Sequence, residues 1–235
     1  RRSAARADVA DRGYTVVIAS RVDDPLLHEA VASIAAQTVR ATSVLVVVNP
    51  EDALSPAWVG TVRDAAGGVV LEVLRSSQPG MVPALNHGIQ ASRTPYLAFV
   101  DSDDLWLPEK QERQLDALAG GPTLDAASCR AANFHLAEDG SPVVGASAPA
   151  TMFTCTTFRR AAFETYGLLD TATTHFTWLY RWWGRARELG ITGTCLDYVG
   201  LHRRLHDKNS WTVERRKAHA DLLREVRAHA RRRRA

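Results

Sequence analysis

Three carboxylates stand within four positions at Asp101, Asp103 and Asp104, directly after the apolar run Tyr96-Leu-Ala-Phe-Val100. Asp101 and Asp103 are two residues apart, so a single turn can bring both onto one hard cation such as Mg2+ or Mn2+. Such a cation keeps several waters and shares its remaining positions with phosphate oxygens. The competing reading is an acidic turn that caps a helix. Asp104, with Pro108 behind it, fits a helix entry. The preceding run is short, apolar and bounded by Pro95 and by charge, which predicts a buried strand over Tyr96 to Val100. Acids at the carboxyl end of such a strand lie where open α/β sheets bind ligands.

Elements that can position these acids precede them in regular alternation. Tyr14 to Ala19, Val44 to Val48 and Val69 to Leu74 read as buried strands rich in β-branched residues. Between them, Asp24-Pro25 and Ser55-Pro56 read as helix starts, with the polar residue as N-cap and Pro at the first helical position. Leu27, Ala30, Val31 and Ile34 fall at helical spacing behind the first start. Trp58, Val59, Val62 and Ala66 do so behind the second. Gly80 opens a loop, and Val82, Leu85 and Ile89 mark a third helix. Near-continuous apolar strands require cover on both faces, so the first half is expected to be a parallel sheet in an α/β layer.

The second half is less regular. A helix is expected over Pro108 to Leu118 and strands over Ala126 to Phe134 and Met152 to Phe158. Asp139-Gly140-Ser141-Pro142 reads as a turn, Gly145 to Ala150 as a small, flexible stretch, and Arg159 to Tyr166 as a short helix closed by Gly167. Phe176, Leu179, Trp183 and Ala186 form a helical stripe, and Thr194 to Leu201 a final strand. After Val213 comes a basic amphipathic segment with Leu222, Leu223 and Val226 on one face. The expected division is a flexible segment over 1–12, one domain over 13–211 and a basic helix and tail over 212–235. That tail reads as solvated, or as a peripheral contact with anionic lipid or an acidic partner.

Composition excludes several classes. With 46% hydrophobic residues in 235, a substantial core is available and wholesale disorder is ruled out. A net charge of +3 is too mild for a nucleic-acid binder. Cys129, Cys155 and Cys195 have no CxxC spacing, the pattern of buried thiols in a reducing compartment. No apolar run reaches the length of a membrane span and no secretory signal is visible, so a soluble, cytoplasmic protein is expected.

Taken in order, the motifs resemble the family 2 glycosyltransferases of the GT-A fold. The likeness runs from Tyr14 to Ser210. YTVVIAS resembles that family's first strand, Ser33-Ile-Ala-Ala-Gln-Thr38 a helix end, and Val46-Val-Val-Asn49 a second strand that normally ends in Asp. Gly80-Met-Val-Pro-Ala-Leu-Asn86-His-Gly88-Ile89 resembles the family's G-x-x-x-A-x-N-x-G-I helix. Asp101-Ser-Asp103-Asp104 with Trp106 and Pro108 resembles its D-x-D signature. Tyr166-Gly-Leu-Leu-Asp170 resembles a G-x-F-D-E turn, and Arg203-Arg-Leu-His206 with Asn209-Ser210 a late R-x-H-x-x-N-S segment.

The resemblance implies transfer from a nucleoside-diphosphate sugar of the UDP, GDP or dTDP type, with Mn2+ or Mg2+, to a small molecule, peptide or lipid-linked acceptor. By position, Ala19 and Ser20 line the base pocket and Asn49 faces the base. Arg75 meets phosphate or base, or is a surface arginine. Asn86 orients the acid loop rather than touching substrate. Asp103 is the direct metal ligand, and Asp101, with Ser102 beside it, binds ribose or the metal through water. His206 completes the metal or diphosphate site, with His202 as second choice. Arg203, Arg204 and Lys208 add positive charge near the diphosphate.

One part of the pattern is missing. Inverting members carry an acidic pair, whose Asp is the general base, before a W-L-R-like stretch. Here Thr173-Thr174-His175-Phe176-Thr177-Trp178-Leu-Tyr-Arg181 occupies that place without a carboxylate. His175 titrates in the range a base needs, and a positioned base contributes roughly 10²–10⁴-fold in rate. His175 is therefore the candidate base, Asp170 the nearest acid. The alternatives are an acceptor that needs little base help or a retaining mechanism, and a nucleotide-sugar-binding protein without turnover. A nucleotidyltransferase is set aside, because Ser20-Arg-Val-Asp-Asp lacks the glycines its phosphate loop needs.

Overall fold

The computed structural model describes residues 12–22, 24–150, 152–172 and 177–206. Four parallel strands form the first half: β1 (Tyr14–Ala19), β2 (Ser43–Val48), β3 (Leu71–Arg75) and β4 (Tyr96–Phe99). They lie in the order β3-β2-β1-β4, so the order reverses between β1 and β4. Three helices connect them: α1 (Leu27–Ala35), α2 (Pro56–Ala65) and α3 (Met81–Ala91).

Sequence spacing accounts for this half closely. The four residues at helical spacing in α1 are all fully buried. The Ser55 side chain caps α2 by accepting from the Trp58 amide at 3.1 Å. The entry to α1 differs from expectation, since the helix begins at Leu27 and Asp24 instead closes the preceding turn on the Leu26 amide at 2.9 Å. Proline at 25 fixes that turn without being its first helical residue.

Helix α3 packs against β1 without a spacer. A Cβ on Gly88 would meet Val17 Cγ1 at 2.3 Å, so only glycine permits this approach. The start of α3 also needs glycine, because Gly80 has φ of 110°.

After β4 the sheet changes direction. A two-residue strand β5 (Leu105–Trp106) follows the acids, then α4 (Lys110–Gly120). Strands β6 (Ala126–Leu136) and β7 (Pro142–Pro149) form a hairpin, so the stretch expected to be flexible is strand. A 3-10 turn over Phe153–Cys155 leads into β8 (Thr156–Arg159), shortening the strand expected from Met152. Helices α5 (Ala161–Tyr166) and α6 (Thr177–Glu188) and strand β9 (Gly193–Arg204) complete the described chain. β8 is antiparallel to β4, β6 antiparallel to β8, and β9 parallel to β6, while β5 adds to β9. One mixed sheet results, parallel at the β3–β4 end.

Two cores cover its faces. One lies under α1, α2 and α4; the other joins α3, α5 and α6 through an aromatic stack of Phe99, Phe153, Phe158, Phe163 and Trp182. The stripe of α6 agrees with the expected one at Ala186 and differs elsewhere: Thr177, Trp178 and Trp182 are buried, while Leu179 and Trp183 pack only partly against the core. The aromatic core selects the helix face here, and the indole Nε1 of Trp182 finds Gly167 O at 2.8 Å.

Candidate active site

The parallel strands deliver their carboxyl ends to one rim. Val17 pairs with Phe99, Ala19 with Val47, and Val48 with Arg75. This register puts Ala19, Ser20, Asn49, Arg75 and Asp101 along the same edge. Asp101 follows directly on the strand end beside the order reversal, where such sheets form a crevice.

Beyond that edge, carboxylate oxygens of Asp101, Asp103 and Asp104 lie within 4.8 Å of one another. Asp101 is open to solvent on one side, with protein packed around the rest. That surrounding burial, then the Asp103 charge, push its carboxyl up to about 7, against the pull of Arg203. Asp104 is 2% exposed. Burial, then the Asp101 and Asp103 charges, raise its carboxyl well above the ordinary range. It is not the helix cap that its position promised, since α4 begins only at Lys110. Its Oδ1 accepts the Arg204 amide at 2.9 Å, while its buried Oδ2 accepts no hydrogen bond among the described residues. Clustered acids with one oxygen unsatisfied fit a hard divalent cation.

Three separate segments hold this acid turn. Before α1, Asp24 Oδ2 accepts from Ser102 Oγ, so Ser102 faces a neighbouring carboxylate. From the end of α1, Ser33 Oγ accepts the Trp106 amide at 3.1 Å. Gln37 donates to Leu107 O at 2.9 Å and accepts the Gln111 amide at 3.1 Å, and Thr38 donates its amide to Pro108 O. The Ser33-to-Thr38 motif is thus a clamp on the chain leaving the acids. From β9, Arg204 Nε donates to Asp103 O at 3.0 Å, and its Nη2 to Glu29 Oε2 at 2.5 Å. Arg204 is 5% exposed and consumed by these contacts, so it is a strut rather than a free charge facing phosphate.

His206 Nε2 lies 2.9 Å from Asp103 Oδ2, joining the late histidine to the acid turn. His202 does not join it, because it sits in β9 opposite Leu105 and packs on Phe134. Arg203 acts on Asp101 and Asp104 through its field.

Other expected residues serve as framework. Asn49 Oδ1 accepts the Gly80 amide at 2.9 Å, tying β2 to the start of α3. Arg75 donates to Pro50 O and Asp52 O and braces the loop after β2. Asn86 forms a two-way bond with the Leu169 backbone, Nδ2 to O at 2.8 Å and N to Oδ1 at 2.9 Å. It orients the turn holding Asp170, not the acid loop. Asp170 in turn accepts from Arg181 at 2.8 Å and from the Ala172 amide at 2.9 Å. Arg181 first, then that amide, hold its carboxyl below the usual range, which weakens it as a base. His175 and Lys208 lie outside the described residues, as do Asn209 and Ser210 and most of the two terminal segments. Sequence reasoning missed Glu29, whose partner Arg204 is 175 residues away, a separation no local pattern reveals.

The family model for glycosyl transferase family 2 matches residues 15–142, which span β1 to the start of β7 and contain the whole acid turn. The chain belongs to glycosyl transferase family 2. It carries a family 2 glycosyltransferase domain, and solved structures share its GT-A fold. Mannosyltransferase PcManGT from Pyrobaculum calidifontis, in complex with GDP-Man and Mn2+, superposes with a TM-score of 0.68 at 17% identity, over 91% of this chain and 64% of that one. S. aureus TarS superposes at 0.62 with 15% identity, over 86% of this chain and 38% of that one. TarS 1–349 in complex with UDP-GlcNAc superposes at 0.58 with 16% identity, over 84% and 60%. The chain therefore spans 38% to 64% of the length of these neighbours. No curated protein matches it by sequence. No helix among the described residues is long and apolar enough to cross a membrane.

Proposed function

We propose that this domain transfers a glycosyl group from a nucleoside-diphosphate sugar to an acceptor hydroxyl, with inversion, using Mn2+ or Mg2+ at the acid turn. The observation that carries the reading is the convergence of Asp101, Asp103 and Asp104 within 4.8 Å, with His206 on Asp103, at the strand end beside the order reversal. PcManGT with GDP-Man and Mn2+, and TarS with UDP-GlcNAc, are neighbours of the same fold. A divalent cation there supplies charge stabilisation to a leaving diphosphate. Asp103 and His206 would hold it, with Asp101 as a further ligand or a ribose contact. Arg203 adds positive charge beside them. Ala19 and Ser20 form the adjoining nucleotide edge, Asn49 and Arg75 support it, and Asn86 holds the turn that carries Asp170. His175 is the proposed base that takes the acceptor proton. The domain is proposed to run over 13–211, with the basic segment over 212–235 as a separate peripheral contact.

A second reading, nucleotide-sugar binding without turnover, is favoured by one observation: the nearest acid, Asp170, is committed to Arg181 and the Ala172 amide. One experiment separates the two. UDP, GDP and dTDP are tested for stabilisation with and without Mn2+, and donor sugars for hydrolysis and transfer. Metal-dependent stabilisation with turnover supports transfer, and His175→Ala then loses turnover while keeping nucleotide affinity. Binding without turnover across the donor panel favours the second reading. Nucleotide binding indifferent to Mn2+ sinks the metal role.

A further inference from the structure

Arg204 makes contacts that no charge beside a diphosphate needs. Its backbone amide fixes Asp104 Oδ1 at 2.9 Å, its Nε fixes the Asp103 carbonyl at 3.0 Å, and its guanidinium stacks 4.8 Å from the Phe134 ring centroid. The remaining edge of the fork reaches Glu29 Oε2 at 2.5 Å, in the first turn of α1. A planar fork can meet a carbonyl and a carboxylate together, which a lysine ammonium on a flexible stem does not reproduce. We propose that Arg204 and Glu29 form a brace that positions Asp103 and Asp104 for the divalent cation. This rests on the acid turn being the cation site.

Charge gives Glu29 its part. An uncompensated guanidinium against the acid turn would repel a divalent cation, and the Glu29 carboxylate offsets it. The Glu29 side chain is 41% exposed but that of Arg204 is 6% exposed, so the pair is half-buried and its loss costs some stability. Glu29→Gln keeps the shape of the side chain and removes only the charge. Residues that orient metal ligands from behind cost about 10–100-fold in metal affinity when replaced.

The test titrates Mn2+ into the full chain, with and without UDP or GDP, and follows the electron paramagnetic resonance signal of the free ion. Glu29→Gln and Arg204→Lys are expected to weaken Mn2+ binding by about 10–100-fold. The melting temperature of Glu29→Gln without metal stays well above the titration temperature, and Glu29→Asp recovers part of the affinity. Arg113→Lys, in an exposed pair with Glu109, leaves binding unchanged. Wild-type affinity in Glu29→Gln and Arg204→Lys overturns the brace while the cation reading stands. Absence of Mn2+ binding by the wild-type chain overturns the cation reading and the brace with it. If Arg204→Lys does not fold, Glu29→Gln decides alone.

Discussion

His206 Nε2 and Asp103 Oδ2 lie 2.9 Å apart although 103 residues separate them in sequence. Strand β9 creates this meeting. It pairs with β5 immediately after the acids, so whatever follows β9 emerges beside the turn that precedes β5. The histidine and the carboxylate are thus two ends of one local piece of sheet.

Asp103→Asn removes the carboxylate at the centre of this arrangement. Expected outcomes are loss of measurable Mn2+ binding and a fall in sugar transfer of about 100-fold or more, beyond the cost of an orienting residue. His206→Ala is expected to weaken Mn2+ binding by about 10–100-fold. Calorimetric titration checks both. Unaltered binding in Asp103→Asn would remove this residue from the metal site.

Lys110 is buried beneath the turn, 4.0 Å from the Trp106 ring centroid and 3.0 Å from Gln114 Oε1. Burial lowers its ammonium from 10.5 to about 8. Because the folded value is the lower one, the unfolded chain binds more protons between about pH 8 and 10.5, and this group's contribution to stability rises with pH across that window. Below it, the buried charge costs about 3 kcal/mol. Lys110→Met is expected to be more stable than wild type at pH 7 by on the order of 1–3 kcal/mol, after loss of the ring contact. The difference shrinks as pH approaches 10.5. Urea unfolding of both chains at several pH values measures it, and a difference independent of pH refutes the assignment.

Gly88→Ala drives a methyl into Val17 and separates α3 from β1. A destabilisation of about 1–3 kcal/mol is expected. Val17→Ala in the same chain vacates the colliding atoms and recovers part of the loss. A double-mutant cycle by chemical denaturation quantifies the coupling. Additive effects would show that the helix does not press on the strand.

Asp170→Asn keeps an oxygen for the Ala172 amide and loses the Arg181 ion pair, whose side chains are 32% and 41% exposed. Stability is expected to change by about 1 kcal/mol or less, and turnover by no more than about threefold. A collapse of turnover with a flattened pH–rate profile would instead make Asp170 the base.

Much of the first half was legible because its elements carry local signals. Buried β-branched runs marked β1 and β2, and Ser55-Pro56 marked α2. The acid turn was legible for the same reason, since Asp101 and Asp103 follow a buried strand within the same few residues. What escaped depended on distant partners. Asp104 reads as a helix cap until β9 brings the Arg204 amide to it. Asn86 reads as a support for the acids until Leu169 engages both ends of its amide. Strand β7 carries mostly exposed small residues and reads as loose until β6 pairs with it. The face of α6 is legible at Ala186 but not at Trp178 and Trp182, because those tryptophans fill a core built from other elements.

Arg204, the last residue of β9, also bears on how the chain matures. The parallel half of the sheet and all three acids are made long before β9, and on their own they leave Asp104 without the amide that satisfies it. A nascent chain can display the acid turn as sequence while lacking it as a cage. Under the proposed cation reading, the amide that Asp104 accepts and the histidine beside Asp103 are the last parts of the site to be added. A chain cut short of β9 lacks both, and its Mn2+ binding is expected to be weaker than that of the full chain.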